Sequence, residues 1–198
     1  MQAIESILSE HRTLAAVLHG MLYLARDIRY GGAQPNFDLF AAMVYYIHAF
    51  PERFHHPKEE AYLFRLLRLR HPAAAPLLDK LREEHRAGAD KIRTMETALT
   101  RYQQEGASQL EAFYGAVAAY GAFHYAHART EENDLLPLAE KCLTDADWAE
   151  IDAAFAGHTD PLLGAKAGAE YDKLFRRIVN LAPRPLGVAS EASSNRGT

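Results

Sequence analysis

The chain has very little of what secreted, membrane-spanning or nucleic-acid-binding proteins need. It has one cysteine, Cys142, among 198 residues, so an internal disulfide and a cysteine-rich zinc site are both excluded. The longest apolar run, 39–50, is too short to cross a bilayer and contains His48. No basic segment followed by an apolar one opens the chain, as in a secretory signal. The net charge of −4 offers no electrostatic basis for binding nucleic acid or an anionic membrane. We therefore expect a cytoplasmic protein with neither partner.

The apolar residues follow a helical pattern over most of the chain. Apolar residues make up 48% and charged residues 24% of the sequence, which is typical of a globular domain. Apolar positions recur at helical spacing, and no strand-like alternation is present. Four long helices joined by short connections predict an all-α, up-down-up-down four-helix bundle. The predicted bounds of these helices are about 3–30, 36–70, 72–103 and 108–141.

Local signals set the predicted ends of these helices. Gly31 and Gly32 should end the first, and Asn36 and Ser108 should cap the second and fourth. Thr144 opens a capping box for a short fifth helix. We accordingly predict three segments: the bundle at 1–142, a C-terminal helical extension at 143–181 and a disordered tail at 182–198. The extension includes a sixth helix at 165–181.

One motif occurs twice, once in each half of the bundle. The second helix carries a histidine, three residues and then two glutamates, starting at His55, and the fourth helix repeats this pattern from His127. Both copies continue with two residues and then two large apolar ones. Each copy is preceded by a helix that carries a Glu-His dipeptide, ending at His11 in the first helix and at His85 in the third.

The spacing of the motif predicts a metal site inside the bundle. Residues four apart on a helix share a face, whereas neighbours point about 100° apart. His55 and Glu59 therefore face inward together, while Glu60 and Glu132 fall off the inward stripes. A lone histidine or a Glu-Glu pair is usually ordinary surface, but six buried polar groups need partners. The predicted ligands are His11, His55, Glu59, His85, His127 and Glu131.

Several other residues are open to two interpretations. His48 and His124 lie on the inward stripes and are further ligand candidates, or else line the pocket. Pro57 lies between two predicted ligands, so either the helix kinks there or a new helical segment begins. Tyrosines at 45, 62 and 120 either line a ligand pocket or pack in the core. The remaining histidines are interpreted as surface or structural: His19, His56, His71 and His158.

These residues resemble the hemerythrin-like HHE cation-binding family over about 3–141. The resemblance implies a bundle around two non-haem iron ions, bridged by carboxylates and by an oxo or hydroxo group, with the six predicted ligands in the family positions. Zinc or manganese would accept the same donors. Oxygen carriers of this kind have a second third-helix histidine where this chain has Ala89, and an aspartate five residues after the fourth-helix histidine instead of Glu131. The pattern is more similar to bacterial HHE proteins and to the iron-sensing domain of a eukaryotic ubiquitin ligase subunit.

Three functions follow from this interpretation, in order of preference. The first is a binding or sensing protein for dioxygen, nitric oxide, peroxide or iron, acting through an unidentified protein partner and open to homodimer formation. The second is a di-iron enzyme, either a peroxidase or one related to nitric oxide or iron-sulfur repair, although the cysteine-containing N-terminal segment of the repair family is missing here. The third is a metal-free interaction bundle. We lean towards a protein that is not an enzyme.

Overall fold

The computed structural model describes residues 1–156 and contains only helices there. Four long helices pack as a bundle, which confirms the predicted fold class. The first long helix is α1 (Gln2–Gly31) and the third is α5 (Ala75–Glu105), preceded by a 3₁₀ turn at Pro72–Ala74. The second long helix, 37–70, consists of α2 (Phe37–Phe50), π1 (Pro51–His55), α3 (His56–Lys58), π2 (Glu59–Phe64) and α4 (Arg65–Arg70). The fourth, 110–142, consists of α6 (Leu110–Thr130), π3 (Glu131–Leu135) and α7 (Leu136–Cys142), and a short α8 (Asp145–Ala156) follows.

Most of the predicted helix ends are confirmed. Gly32 ends α1 in the left-handed conformation, with φ of 73°. The Asn36 side chain accepts a hydrogen bond of 3.0 Å from the Leu39 amide at the start of α2. Thr144 and Asp147 form the capping box: the Thr144 amide donates to the Asp147 carboxylate at 2.9 Å, and the Asp147 amide donates to the Thr144 hydroxyl at 3.3 Å.

The predicted cap at Ser108 is wrong. A 3₁₀ turn, Gly106–Gln109, lies between the third and fourth long helices, and α6 begins only at Leu110. The Ser108 hydroxyl donates to the Glu105 carbonyl at 3.3 Å and makes no cap. A 3₁₀ turn is tighter than an α-turn and is a frequent helix connector, so the chain reverses without a side-chain cap.

Three π-helical segments lie where the histidine motifs lie. Pro57 falls in the first turn of α3, so a new α-helical segment begins there, as one of the two alternatives predicted. The backbone remains right-handed helical on both sides of Pro57, and the His56 amide donates to the Pro51 carbonyl, so the change from π1 to α3 accommodates the proline within a continuous helix. Glu59 is the first residue of π2 and Glu131 is the first residue of π3. Short π segments often occur at functional sites, and here they place both motif glutamates at a change of helical pitch.

The apolar core forms two clusters with the motif residues between them. Along every long helix the inward histidine lies between residues of one cluster and residues of the other. The first cluster includes Leu14, Phe40, Ile92 and Phe113, and the second includes Leu63, Leu78 and Leu135. The polar layer is therefore closed off from above and below by close-packed side chains.

Helix α8 covers the second cluster. It buries Trp148, Ile151 and Phe155 against the bundle. Its Asp152 accepts a hydrogen bond of 2.8 Å from the Ala3 amide, so the extension holds the start of α1. The predicted helix at 165–181 and the tail at 182–198 lie outside the described residues. Within the described part of the chain, no helix is both long and apolar enough to span a membrane.

Candidate metal centre

Four histidines point their Nε2 atoms into the centre of the bundle, one from each long helix. His11 on α1 and His55 on π1 form the first pair, with their Nε2 atoms 3.1 Å apart. His85 on α5 and His127 on α6 form the second pair, with ring centroids 5.0 Å apart and rings inclined at 74°. All four are buried. Two imidazoles thus face each of two neighbouring points.

Glu59 and Glu131 lie between the two histidine pairs and are completely buried. The two oxygens of Glu131 face opposite pairs: Oε2 is 3.1 Å from His11 Nε2, and Oε1 is 3.3 Å from His127 Nε2. Glu59 is arranged in the same way, with Oε1 3.4 Å from His55 Nε2 and Oε2 3.5 Å from His85 Nε2. Each carboxylate therefore presents one oxygen to each pair, as a group that bridges two cations does.

The unpaired atoms of this cluster fit cations. None of the four oxygens of Glu59 and Glu131 has a hydrogen-bond partner of good geometry, nor does Nε2 of His85 or His127. Buried polar atoms are normally paired, because an unpaired one costs about 1–3 kcal/mol and a charged one more. One ligand atom from each of His11, His55, Glu59 and Glu131 lies within 4.8 Å of the others, which is close enough to hold one ion.

The electrostatics of the two carboxylates differ. Burial, followed by repulsion from Glu131, raises the pKa of Glu59 well above its usual range. Burial also acts to raise the pKa of Glu131, but His127 and His11 hold it well below its usual range. Burial, followed by repulsion from His11, lowers the pKa of His55 well below its usual value. The cluster thus combines an acid that resists ionisation with a carboxylate and an imidazole ready to ligate.

A ring of four further glutamates holds the outer nitrogens of the histidines. Each of these four histidines donates its Nδ1–H to a glutamate on the preceding long helix. The first helix bonds to the fourth in the same way, so the four hydrogen bonds form a closed ring around the bundle. The Nδ1 to oxygen distances are 2.7 Å for His55 to Glu10, 2.8 Å for His85 to Glu60, 2.9 Å for His127 to Glu84 and 3.0 Å for His11 to Glu132. Such partners fix the ring orientation and leave Nε2 free to ligate.

Helical spacing predicts no role for these four glutamates. Glu60 and Glu132 lie off the inward stripes, so their positions on the helix do not indicate a contact with the site. The available signal was adjacency: each of the four directly precedes or follows a predicted ligand in the sequence. A residue about 100° from the ligand position reaches across to the next helix, where it meets that helix's histidine.

His56 lies closer to the centre than its surface or structural interpretation implied. Its ring stacks on that of His85 at a centroid distance of 3.8 Å, and ligand atoms of His56, His85 and His127 lie within 4.8 Å of one another. Burial lowers the pKa of His56 to about 3, so the ring is neutral at physiological pH. Its Nδ1 lies 3.6 Å from Glu52.

The two additional ligand candidates lie apart from the cluster in different ways. His48 is partly exposed, and its Nδ1 is 2.7 Å from Glu96 on α5. His124 is buried and stacked on Tyr120, with its Nε2 unpaired. Neither belongs to the two groups of ligand atoms found in the described residues. Of the predicted pocket tyrosines, Tyr45 is exposed and Tyr62 packs on the second core cluster.

A cavity of about 10 Å³ adjoins the cluster on the side of the first core cluster. That volume is near the minimum for one water-sized molecule. Gly88 lies in its wall, where a Cβ would stand 3.2 Å from the Phe123 ring, so a larger residue there would have to displace that ring. The lining comprises His11, Leu14, Pro51, His55, His56, Glu84, Gly88, Tyr120, Phe123, His124 and His127.

Fold and site together define a class: a helical bundle with buried histidine and glutamate clusters suited to cations. The Hemerythrin HHE cation binding domain matches residues 2–139. That match covers well over half of the chain, and the chain therefore belongs to this family. No curated protein and no solved structure matches the chain.

Removing one outer glutamate is expected to weaken cation binding without changing the ligands. Glu84→Gln replaces the carboxylate that holds Nδ1 of His127, and loss of such a partner typically lowers metal affinity about 10–100-fold. Competition with a chromogenic chelator measures that affinity. Glu83→Gln is the matched control, because Glu83 is exposed and pairs only with Arg86 at 3.1 Å in the described structure. Equal affinities for the two variants would contradict an orienting role for the ring.

Proposed function

We propose that the chain is a non-haem di-iron protein that binds or senses a small ligand: dioxygen, nitric oxide, peroxide or iron itself. One observation carries the proposal: the two oxygens of each buried carboxylate face different pairs of imidazoles, which suits a carboxylate-bridged pair of metal ions. His11 and His55 would hold one ion, His85 and His127 the other, and Glu59 and Glu131 would bridge them. Imidazole and carboxylate donors also suit zinc or manganese, and family membership favours iron.

The surroundings of the centre support a small ligand over a large one. Six protein ligands would not fill the coordination shells of two ions. The ions, when bound, would therefore supply the chemistry that binds a small ligand. The adjoining cavity of about 10 Å³ is near the minimum for one water-sized molecule, so it excludes any large ligand. Its walls include Leu14, Pro51 and Phe123, whose apolar surfaces restrict water beside the centre. A cytoplasmic location and a protein partner that reads the bound state are part of the proposal.

Ligand titration of the iron-loaded protein separates binding from catalysis. We expect the anaerobic ferrous protein to bind nitric oxide in a fixed ratio to iron, because the small cavity adjoins the residues that would hold the ions. Spectroscopic titration gives that ratio, and metal-free protein is the control. The total amount of hydrogen peroxide consumed should not exceed about one equivalent per centre. Continued turnover of peroxide or nitric oxide would favour the di-iron enzyme instead, and failure of fully loaded protein to bind any ligand would refute the proposal.

A further inference from the structure

A larger cleft opens to solvent between α1 and α6, beside the centre. Its volume is about 490 Å³, and its floor is apolar, with Leu18, Leu22 and Ala128 among its residues. Small-molecule sites in proteins commonly have volumes of about 300–1,000 Å³. The cleft is thus far larger than the cavity at the metal centre and forms a separate space.

The cleft and the small cavity share two residues, His11 and His124. His11 is held in place, since its Nδ1 donates to Glu132 and its Nε2 faces the ligand cluster. His124 is only 8% exposed, and its Nε2 has no hydrogen-bond partner. Rotation of the His124 ring would break no hydrogen bond at Nε2 and, among the described residues, would have to give up only its hydrogen bond with the His11 backbone. A turn of this ring would join the cleft to the cavity.

The charges around the cleft have one dominant sign. Arg12 and Arg129 line it and are both exposed. Neither arginine forms an ion pair within residues 1–156. Among the described residues of the lining, Glu132 is the only acid, and it is engaged with His11. A cleft lined with unpaired cations concentrates anions and can speed their arrival about 10–1,000-fold.

We propose that the α1–α6 cleft is the entrance to the metal centre for small ligands, that His124 is its movable wall, and that Arg12 and Arg129 make it selective for small anions. The identity of the ligand rests on the proposed function, whereas the path itself is inferred from the cleft and the small cavity alone. His124 acts here as a positioning residue that controls access. Neutral ligands use the same path without the electrostatic acceleration.

The entrance can be tested without metal. His124→Cys in a Cys142→Ser background places a thiol at the shared wall, and its labelling by methanethiosulfonate reagents reports access from the cleft. We expect the anionic reagent to label about tenfold faster than the cationic one of similar size. Arg12→Glu with Arg129→Glu should abolish or reverse that preference, whereas Arg101→Glu, an exposed change on α5 outside the cleft, should leave it intact. Equal labelling by both reagents, or no labelling of folded protein, would overturn the proposal.

Ligand kinetics provide the second test, on the intact metal-loaded chain. The association rate of azide, a small anion, should rise in His124→Ala and fall in His124→Phe by about tenfold or more in each direction, with nitric oxide following the same order. The arginine substitutions should slow azide alone. Azide and nitric oxide rates that are unchanged in both His124 variants would overturn the entrance. Failure of either ligand to bind the loaded protein would instead refute the proposed function, and the thiol labelling would still decide the entrance.

Discussion

Glu131→Gln is expected to reduce the metal content from two ions to at most one per chain. Glutamine keeps the shape of the side chain but replaces one oxygen with an amide NH₂, which cannot ligate a cation. Oε2 of Glu131 lies 3.1 Å from His11 Nε2, and Oε1 lies 3.3 Å from His127 Nε2. Whichever oxygen the amide replaces, one of the two histidine pairs loses its carboxylate ligand. Loss of an orienting group alone weakens binding about 10–100-fold, and loss of a bridging ligand should exceed that. Elemental analysis after ferrous loading gives the stoichiometry.

The next residue along the chain supplies the control for this substitution. Glu132→Gln makes the same chemical change, but Glu132 is partly exposed and, within residues 1–156, its carboxylate pairs with the outer nitrogen of His11 and with no other ligand. It should keep the two-ion stoichiometry and lose affinity alone. Glu59→Gln should behave like Glu131→Gln, because the Glu59 oxygens lie 3.4 Å from His55 and 3.5 Å from His85. Two ions per chain in both the Glu59 and the Glu131 variants would contradict the ligand assignment.

Metal is expected to stabilise the fold strongly near pH 7, and this gain should vanish as the pH falls towards about 5. A ligand that binds only the folded state adds about 4 kcal/mol when its free concentration is 1,000 times its Kd. Metal also offsets the burial and the repulsion from Glu131 that together raise the pKa of Glu59. Because an ordinary histidine has a pKa near 6.5, protons compete with the cations for the four imidazoles below that pH. Thermal unfolding with and without ferrous ion across this range measures the difference, and undiminished stabilisation at pH 4 would contradict a histidine-rich site.

The metal-free protein has its own pH dependence, whose sign follows from the buried imidazoles. Burial lowers the pKa of His56 to about 3 and that of His124 to about 4, against 6.5 for the free side chain. At these two residues the unfolded chain therefore binds more protons than the folded one between pH 6.5 and about 3. Stability contributed by these two residues is full above pH 6.5 and is lost as the pH falls through that window. Glu59 acts oppositely, since its raised pKa lowers stability as the pH rises above the ordinary glutamate range.

A pair of single substitutions isolates the histidine contribution. His56→Gln removes one buried ring that titrates on unfolding. The free energy of unfolding of the metal-free protein should therefore fall less steeply between pH 6.5 and 4, by a slope that corresponds to about one proton. His19→Gln changes an exposed ring and should leave the slope unchanged. Identical slopes in the two variants would indicate that His56 does not remain neutral in the folded state.

Much of the fold follows from regular features of the sequence. The apolar spacing predicted four long helices. Gly32 and Asn36 marked two of their ends, and Thr144 marked the start of the short α8, because each acts through local backbone geometry. Ser108 failed as a marker because a 3₁₀ turn competes with a side-chain cap at that connection. The π segments around His55, Glu59 and Glu131 could not be read from spacing alone, since the motif is compatible with a regular helix.

The site was predictable only as far as helix geometry reaches. An interval of four residues was enough to put His55 with Glu59 and His127 with Glu131 on the inward faces. Which glutamate meets which histidine depends on contacts between helices, and for that reason the partnership of Glu10 with His55 had no sequence signal beyond adjacency. The position of His56 likewise depends on its stacking against His85 on another helix, whereas position on its own helix had suggested a surface or structural residue.

The metal content per chain decides whether the buried cluster holds two irons. Protein produced in iron-replete medium is analysed for metals, and the absorption spectrum of the same sample is recorded. We expect close to two irons per chain, with a near-ultraviolet band typical of an oxo-bridged ferric pair. Metal content near zero, persisting after anaerobic reconstitution with ferrous ion, would contradict this expectation and leave the buried histidines and glutamates as a polar layer of a metal-free bundle.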